Sequence, residues 1–196
     1  MGRLSMKLAI LVSGRGSHLR NIYRACQNGD LAASISVVIS NNSRSAALEF
    51  ASEQGIPTRH LSSKTHPDPD LLDLAVYQTL EQFEATLVVT AGYLKKVGMK
   101  TLSRFPNAVI NVHPSLLPRH GGPGMFGMKV HQAVYDAGDA QTGATVHYVT
   151  EEYDQGEIIS QSEIDVLSDD SPNSLAERLL PIEHELLLNV LKVLTK

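Results

Sequence analysis

The stretch Lys7-Leu8-Ala9-Ile10-Leu11-Val12-Ser13-Gly14-Arg15-Gly16-Ser17 decides the fold of this chain. Lys7 to Val12 has the length of a buried strand and is apolar from Leu8 onward, and Ser13 and Gly14 end it. From Ser17 onward, apolar residues recur at helical spacing as far as Gly29, which predicts a helix. A buried strand that turns directly into a helix is the first unit of a parallel sheet covered by helices.

The same alternation continues along the chain. The pattern predicts further strands over 34–39, 86–91 and 108–112. It predicts helices over 43–55, with Ser43 as the cap, over 68–83, over 128–137, and as a short turn after Gly92. We therefore expect an α/β fold built on a mainly parallel twisted sheet with helices on both faces.

The C-terminal part of the chain has a different pattern. Residues 144–150 and 157–165 alternate apolar and polar side chains, which predicts antiparallel strands near a sheet edge. Residues 172–194 form an amphipathic helical pattern that contains Pro181. Because proline lacks the N–H that a helix interior needs, we expect Pro181 to kink this helix or split it.

Composition limits the classes of function. The 196 residues carry 17 Lys and Arg against 21 Asp and Glu, a formal net charge of -4, so no basic surface for nucleic acid is indicated. The single Cys26 excludes a disulfide framework, and the histidines show no metal-ligand spacing, so no metal is expected. No apolar run is long enough to span a membrane, and residues 1–6 lack a signal-peptide pattern. We expect a cytoplasmic protein without a membrane partner.

Three loops fall where such a sheet binds ligands, after Val12, after Ala91 and after Val112. The loop from Ser13 to Ser17 combines glycines with a helix start, which suits one phosphate group. A plain strand-to-helix turn without a ligand explains it equally well. The dinucleotide pattern fails because Leu19 stands where its third glycine belongs.

Asn111 and His113 follow the fourth strand two residues apart, so an extended chain directs both side chains to the same face. An imidazole can move protons near neutral pH, and an amide can stabilise an oxyanion, so this pair indicates catalysis. Asp154 precedes a glycine in an acidic turn, for which ordinary turn chemistry is the better interpretation of the residues alone.

Four blocks together resemble the glycinamide ribonucleotide formyltransferases, a family of small folate-dependent enzymes. The blocks are Ser13-Gly14-Arg15-Gly16-Ser17, Ala91-Gly92-Tyr93-Leu94, Asn111-Val112-His113-Pro114-Ser115-Leu116-Leu117-Pro118, and Gly143 to Val149 with its continuation Asp154 to Ile159. The resemblance covers nearly the whole chain. Two departures stand out: His18 replaces a usual asparagine, and the loop His120 to Gly127 is longer and richer in glycine.

The resemblance implies a Rossmann-like formyltransferase fold and roles for matching positions. Its catalytic trio corresponds to Asn111, His113 and Asp154. Its phosphate contacts correspond to Gly14, Arg15, Gly16, Ser17 and His18, and its other ribonucleotide contacts to Pro114 and Glu183. Its folate pocket corresponds to Leu94, Lys95, Lys96, Val97, Glu151 and Tyr153. We expect one domain over 1–196, with residues 1–6 disordered, a phosphate- and ribonucleotide-binding half over 7–105, and a catalytic and folate-binding half over 106–196.

The implied reaction transfers the formyl group of 10-formyltetrahydrofolate, without a metal, to the amine of glycinamide ribonucleotide in purine biosynthesis. Asn111 and a protonated His113 would stabilise the oxyanion, and Asp154 would raise the pKa of His113 and help a water molecule move protons. The expected partners are these small molecules, in a monomer or homodimer. The alternatives are a formyltetrahydrofolate deformylase, which uses water as acceptor, and a non-enzymatic nucleotide- or folate-binding module.

Overall fold

The computed structural model describes residues 6–195, which form one seven-stranded sheet with strand order β3-β2-β1-β4-β5-β6-β7. The strands are β1 (Met6–Val12), β2 (Ala33–Ser40), β3 (Thr58–His60), β4 (Leu87–Thr90), β5 (Val109–His113), β6 (Gln141–Tyr148) and β7 (Ile158–Asp165). Strands β1 to β5 pair in parallel, whereas β6 and β7 pair antiparallel. This confirms the expected α/β class with antiparallel strands in the C-terminal part.

The helices are α1 (Ser17–Gln27), α2 (Ala46–Glu53), α3 (Pro69–Gln82), α4 (Met99–Arg104), α5 (Met128–Ala137) and α6 (Pro172–Leu194). The helices cover both faces of the sheet. Successive side chains of β1 point to opposite faces, so both faces of this strand pack against helices. Leu8 and Ile10 pack in a cluster with Leu19 of α1 and Leu187 of α6. Leu11 points the other way, into a second cluster that includes Leu80 of α3.

Several boundaries differ from the expectations, each for a local reason. The cap of α2 is Ser45 and not Ser43, because the side chain of Ser45 accepts a hydrogen bond from the amide of Leu48. Strand β3 was not expected, since three residues are too few to show a period. The helix after Gly92 begins only at Met99, where the buried Asp73 carboxylate accepts hydrogen bonds from two amides of its first turn.

Pro181 does not split the C-terminal helix, since α6 runs unbroken over 23 residues. The ring lies on the exposed face of α6, while Leu179 and Leu186 on either side of it are buried in the core. Packing of both halves therefore outweighs the one backbone hydrogen bond that proline removes. The disorder expected for residues 1–6 lies outside the described residues, except that Met6 begins β1.

No helix within residues 6–195 is both long and apolar enough to cross a membrane.

Candidate active site

The candidate site is a cleft of about 840 Å³ at the carboxyl ends of three neighbouring strands, β1, β4 and β5. Strand β1 pairs with β2 on one side and with β4 on the other, so the strand order reverses between β1 and β4. Loops diverge at such a switch point and leave a crevice for a ligand. The three loops that the sequence suggested all meet here.

The glycine loop leaves the start of α1 open to a ligand. Gly16 is the residue that precedes this helix, with a φ of 73°, and it has no side chain with which to cap the helix. A Cβ at Gly16 would lie 2.7 Å from the Cβ of Ala47, so only glycine fits between α1 and α2. Because the first amides of α1 have no partner within the helix, the loop can bind an anion.

Asn111 is held in place from two neighbouring strands. Its Oδ1 accepts a hydrogen bond from Thr90 Oγ1 at 2.9 Å, and its Nδ2 lies 3.1 Å from His147 Nε2. His147 Nδ1 lies 2.8 Å from the carbonyl oxygen of Tyr148 and must donate to it. The contact at His147 Nε2 uses one hydrogen of the Asn111 amide at most, so the amide keeps a hydrogen for another partner.

His113 is buried, with 4% of its side chain exposed. Its Nε2 donates to the carbonyl oxygen of His120 at 2.9 Å, and its Nδ1 lies 3.7 Å from Asp154 Oδ2. Burial lowers the pKa of His113, and Asp154 and the His120 carbonyl oppose that effect only in part. The expected effect of Asp154, which raises the pKa of His113, is confirmed, but burial is the larger influence and the net pKa is lowered.

Asp154 sits in the left-handed region of backbone conformation, with a φ of 56°. Its Oδ2 accepts a hydrogen bond from the Gly122 amide at 2.9 Å, and its Oδ1 lies 3.6 Å from His147 Nε2. Burial by itself raises the pKa of Asp154, but His147, His113 and the Gly122 amide together outweigh it and lower the pKa. An ionised carboxylate therefore lies beside two imidazoles, which goes beyond ordinary turn chemistry.

At the α1 end of the cleft a second carboxylate is buried. His18 Nε2 lies 3.1 Å from Glu183 Oε2, and each of these residues is 8% exposed. The contact joins the start of α1 to the middle of α6. Glu183 therefore lies beside the glycine loop.

The opposite end of the cleft is more open and more apolar. Leu94 and Tyr153 are 48% and 42% exposed there, and Lys96 Nζ lies 6.0 Å from the centre of the Tyr153 ring. The Leu94 amide donates to Ser13 Oγ at 2.8 Å, which ties this wall to the loop after β1. The open start of α1 and this apolar end thus line the same cleft as Asn111.

The structure places every candidate side chain around this one cleft. The residues expected to act in catalysis or binding that line it are Gly14, Arg15, Gly16, Ser17, His18, Leu94, Lys95, Lys96, Val97, Asn111, His113, Pro114, Glu151, Tyr153, Asp154 and Glu183. Their individual roles stay predictions. The division into a ribonucleotide half and a folate half also stays a prediction.

Sequence reasoning assigned no role to three residues of the polar cluster. Thr90 and His147 hold Asn111, and the Gly122 amide holds Asp154. His147 lies directly opposite Asn111 in the pairing of β5 with β6. Only the strand register brings these two together, and nothing in the spacing of the sequence reveals it. Among residues 6–195, no group of three or more His, Cys, Asp or Glu side chains could hold a metal ion.

A glycine loop at an open helix start and a cluster of ionisable side chains, both at the switch point of the sheet, are typical of α/β enzymes. Residues 6–191 match the model of the formyl transferase family, and the chain belongs to this family. The resemblance found in the sequence is thereby confirmed.

Two relatives with the same name are similar to this chain over nearly its whole length. The chloroplastic phosphoribosylglycinamide formyltransferase of Arabidopsis thaliana is 37% identical over 94% of this chain, and the chain spans only 63% of that relative. The phosphoribosylglycinamide formyltransferase of Haemophilus influenzae is 34% identical, with 97% of this chain and 87% of the relative covered.

Two solved structures have folds similar to that of this chain. The glycinamide ribonucleotide transformylase 1 of Symbiobacterium toebii matches with a TM-score of 0.92 and 31% identity, covering 100% of this chain and 89% of its own. A formyltetrahydrofolate deformylase of Pseudomonas syringae matches with a TM-score of 0.85 and 26% identity, covering 96% of this chain and 60% of its own.

Proposed function

We propose that the protein transfers the formyl group of 10-formyltetrahydrofolate to the amine of glycinamide ribonucleotide, a step of purine biosynthesis. The observation that carries this proposal is the position of Asn111, His113 and Asp154 in the same cleft as the open start of α1. A phosphorylated acceptor held at the glycine loop can extend its amine toward the polar cluster. The names of the two relatives support the same acceptor.

The apolar end of the cleft fits the formyl donor. The whole cleft measures about 840 Å³, which leaves room for a second ligand beside the one at the glycine loop. Leu94, Val97 and Val149 supply the apolar wall, and Tyr153 offers an aromatic face at the mouth. A ring system bound there would present its formyl group to Asn111.

The cluster supports direct attack by the substrate amine. The unused hydrogen of the Asn111 amide can donate to the formyl oxygen as negative charge develops on it. A lowered pKa keeps His113 neutral at pH 7, and the lone pair then lies on Nδ1 because Nε2 donates to His120. We propose that Nδ1 accepts the proton from the attacking amine and that the ionised Asp154 stabilises the resulting imidazolium. The imidazolium then gives this proton to N10 of the folate as the bond between N10 and the formyl carbon breaks, which releases tetrahydrofolate and restores neutral His113. A neutral His113 reverses the starting state expected from the sequence, in which His113 is protonated before attack.

The test follows release of tetrahydrofolate product by absorbance with purified protein and 10-formyltetrahydrofolate. The assay is run with and without glycinamide ribonucleotide, and with Asn111→Ala as the matched inactive control. Product that appears only with the ribonucleotide supports the proposal. Equal product in both arms would instead show that water is the acceptor.

A deformylase is the second candidate, because a solved deformylase shares this fold. The open start of α1 and its glycine loop favour the transferase, since water as an acceptor brings no phosphate to that loop. A non-enzymatic binding module has no need for the cluster of Asn111, His147 and Asp154, and absence of turnover in both arms would favour it.

We further propose that the enzyme works in the cytoplasm on small-molecule substrates, without nucleic acid or membrane, as a monomer or a homodimer. Light scattering on a size-exclusion column decides between the two assemblies.

A further inference from the structure

We propose that Asp139 and His120 are positioning residues that fix which ring nitrogen of His113 carries hydrogen. Neither residue lines the cleft, and no role in binding or catalysis follows from their place in the sequence. The inference rests on the proposed function only for its effect on turnover. Its effect on the state of the His113 ring can be measured without any substrate.

The first step of the chain of contacts is an ion pair outside the cleft. Asp139 lies just after α5, and only 7% of its side chain is exposed. Its Oδ2 is 2.7 Å from His120 Nε2, and its Oδ1 pairs with the guanidinium of Arg119. Both carboxylate oxygens are therefore committed to the loop that follows β5.

The second step is an unusual backbone conformation at His120. Its φ is 53°, in the left-handed region that residues other than glycine seldom adopt. Such a conformation persists only where surrounding contacts hold it. Asp139 holds the His120 ring through its contact with Nε2. The backbone carbonyl oxygen of His120 accepts a hydrogen bond from His113 Nε2 at 2.9 Å.

The third step decides the tautomer of His113. A carbonyl oxygen can only accept, so a neutral His113 paired with His120 must carry its hydrogen on Nε2. The other tautomer would direct an Nδ1 hydrogen toward Asp154, whose Oδ2 is 3.7 Å away, and would place two acceptors against each other at Nε2. Without the His120 carbonyl, the Asp154 carboxylate would favour that wrong tautomer. Nδ1 would then have no lone pair with which to take a proton.

The experiment compares the full-length wild type with Asp139→Ala, His120→Asn and the control Asp136→Ala. Asparagine tolerates a left-handed backbone, so His120→Asn removes the ring contact while keeping the turn. Asp136 is an exposed carboxylate of α5 that accepts a hydrogen bond from Gln132 Nε2 at 2.7 Å, so its loss controls for a missing charge. Nitrogen-15 spectra of labelled histidine report the tautomer of His113, and steady-state assays give kcat and KM.

We expect the wild type and Asp136→Ala to show hydrogen on Nε2 of His113. In Asp139→Ala and His120→Asn, a population with hydrogen on Nδ1 appears, and kcat falls about tenfold while KM for the ribonucleotide stays within about twofold. That loss is a fraction of the roughly 100-fold or greater contribution of an intact general base.

An unchanged tautomer and unchanged kcat in both variants would overturn the proposal. If the tautomer shifts while even the wild type fails to transfer formyl to the ribonucleotide, the positioning role stands and the proposed function fails. If Asp139→Ala does not fold because Arg119 loses its partner, His120→Asn decides alone, since it leaves the Arg119 pair in place.

Discussion

Replacing Gly16 by alanine tests whether the glycine loop depends on close packing between two helices. The added Cβ would lie 2.7 Å from the Cβ and 3.2 Å from the Cα of Ala47, in a residue whose φ is 73°. A left-handed alanine costs about 1–2 kcal/mol, and overpacking adds about 1–3 kcal/mol. We therefore expect the free energy of unfolding to fall by roughly 2–5 kcal/mol.

Alanine variants at two other glycines separate the cost of the left-handed conformation from the cost of overpacking. Gly29 has a φ of 79° but nothing within 4 Å of a Cβ, so Gly29→Ala should cost only the conformational part, about 1–2 kcal/mol. Gly14 has neither a left-handed φ nor a close neighbour, so Gly14→Ala should leave stability almost unchanged. Urea denaturation of the three variants measures the series.

The loop geometry also predicts a binding effect. Since Ala47 must shift or push the start of α1 aside, Gly16→Ala should raise the KM for the ribonucleotide by about tenfold or more. Equal stabilities for the alanine variants at Gly16 and Gly29 would refute the packing argument. An unchanged KM at Gly16 would refute the assignment of the loop to the phosphate.

Three further outcomes are expected. Asp154→Asn keeps the shape of the side chain but removes the charge beside His113, so kcat/KM should fall about 100-fold in steady-state assays, and a loss below about threefold would contradict its role. His18→Ala removes the side chain that contacts the Glu183 carboxylate, so KM for the ribonucleotide should rise about tenfold with little change in kcat, and an effect on kcat alone would contradict a binding role. Burial lowers the pKa of three histidines below the usual 6.5: His113, His131 and His184. Below pH 6.5 these histidines bind protons more readily in the unfolded chain than in the folded protein. The free energy of unfolding that they contribute is therefore complete above pH 6.5. It falls as pH decreases toward their folded pKa values, by up to about 1.4 kcal/mol per pH unit for each histidine. Urea midpoints that do not change between pH 7.5 and pH 5.5 would contradict this sign.

The sheet and the pairing of Asn111 with His113 could be predicted because both depend on short-range periods. Alternation along β5 places two residues two apart on one face whatever the rest of the chain does. Helix α5 and its terminal Gly138 were likewise predictable, since the end of a helix is encoded locally.

The rest of the cluster depends on contacts that sequence spacing does not encode. Asp154 approaches His113 only because β6 pairs antiparallel with β5, which brings the turn between β6 and β7 to the carboxyl end of β5. The partnership of His147 with Asn111 follows from register, which a slip of one residue would abolish. The lowered pKa of His113 could not be predicted either, because burial decides it and burial is a property of the whole fold.

The contact between His18 and Glu183 joins residues 165 positions apart in the chain. During synthesis on the ribosome, the glycine loop emerges early, but its carboxylate neighbour emerges only with the last helix. A partly made chain can therefore form the first strands and helices without a complete ligand site. Once the site is complete, bound ribonucleotide would stabilise the first and last parts of the chain together, so ligand binding and global unfolding should be strongly linked.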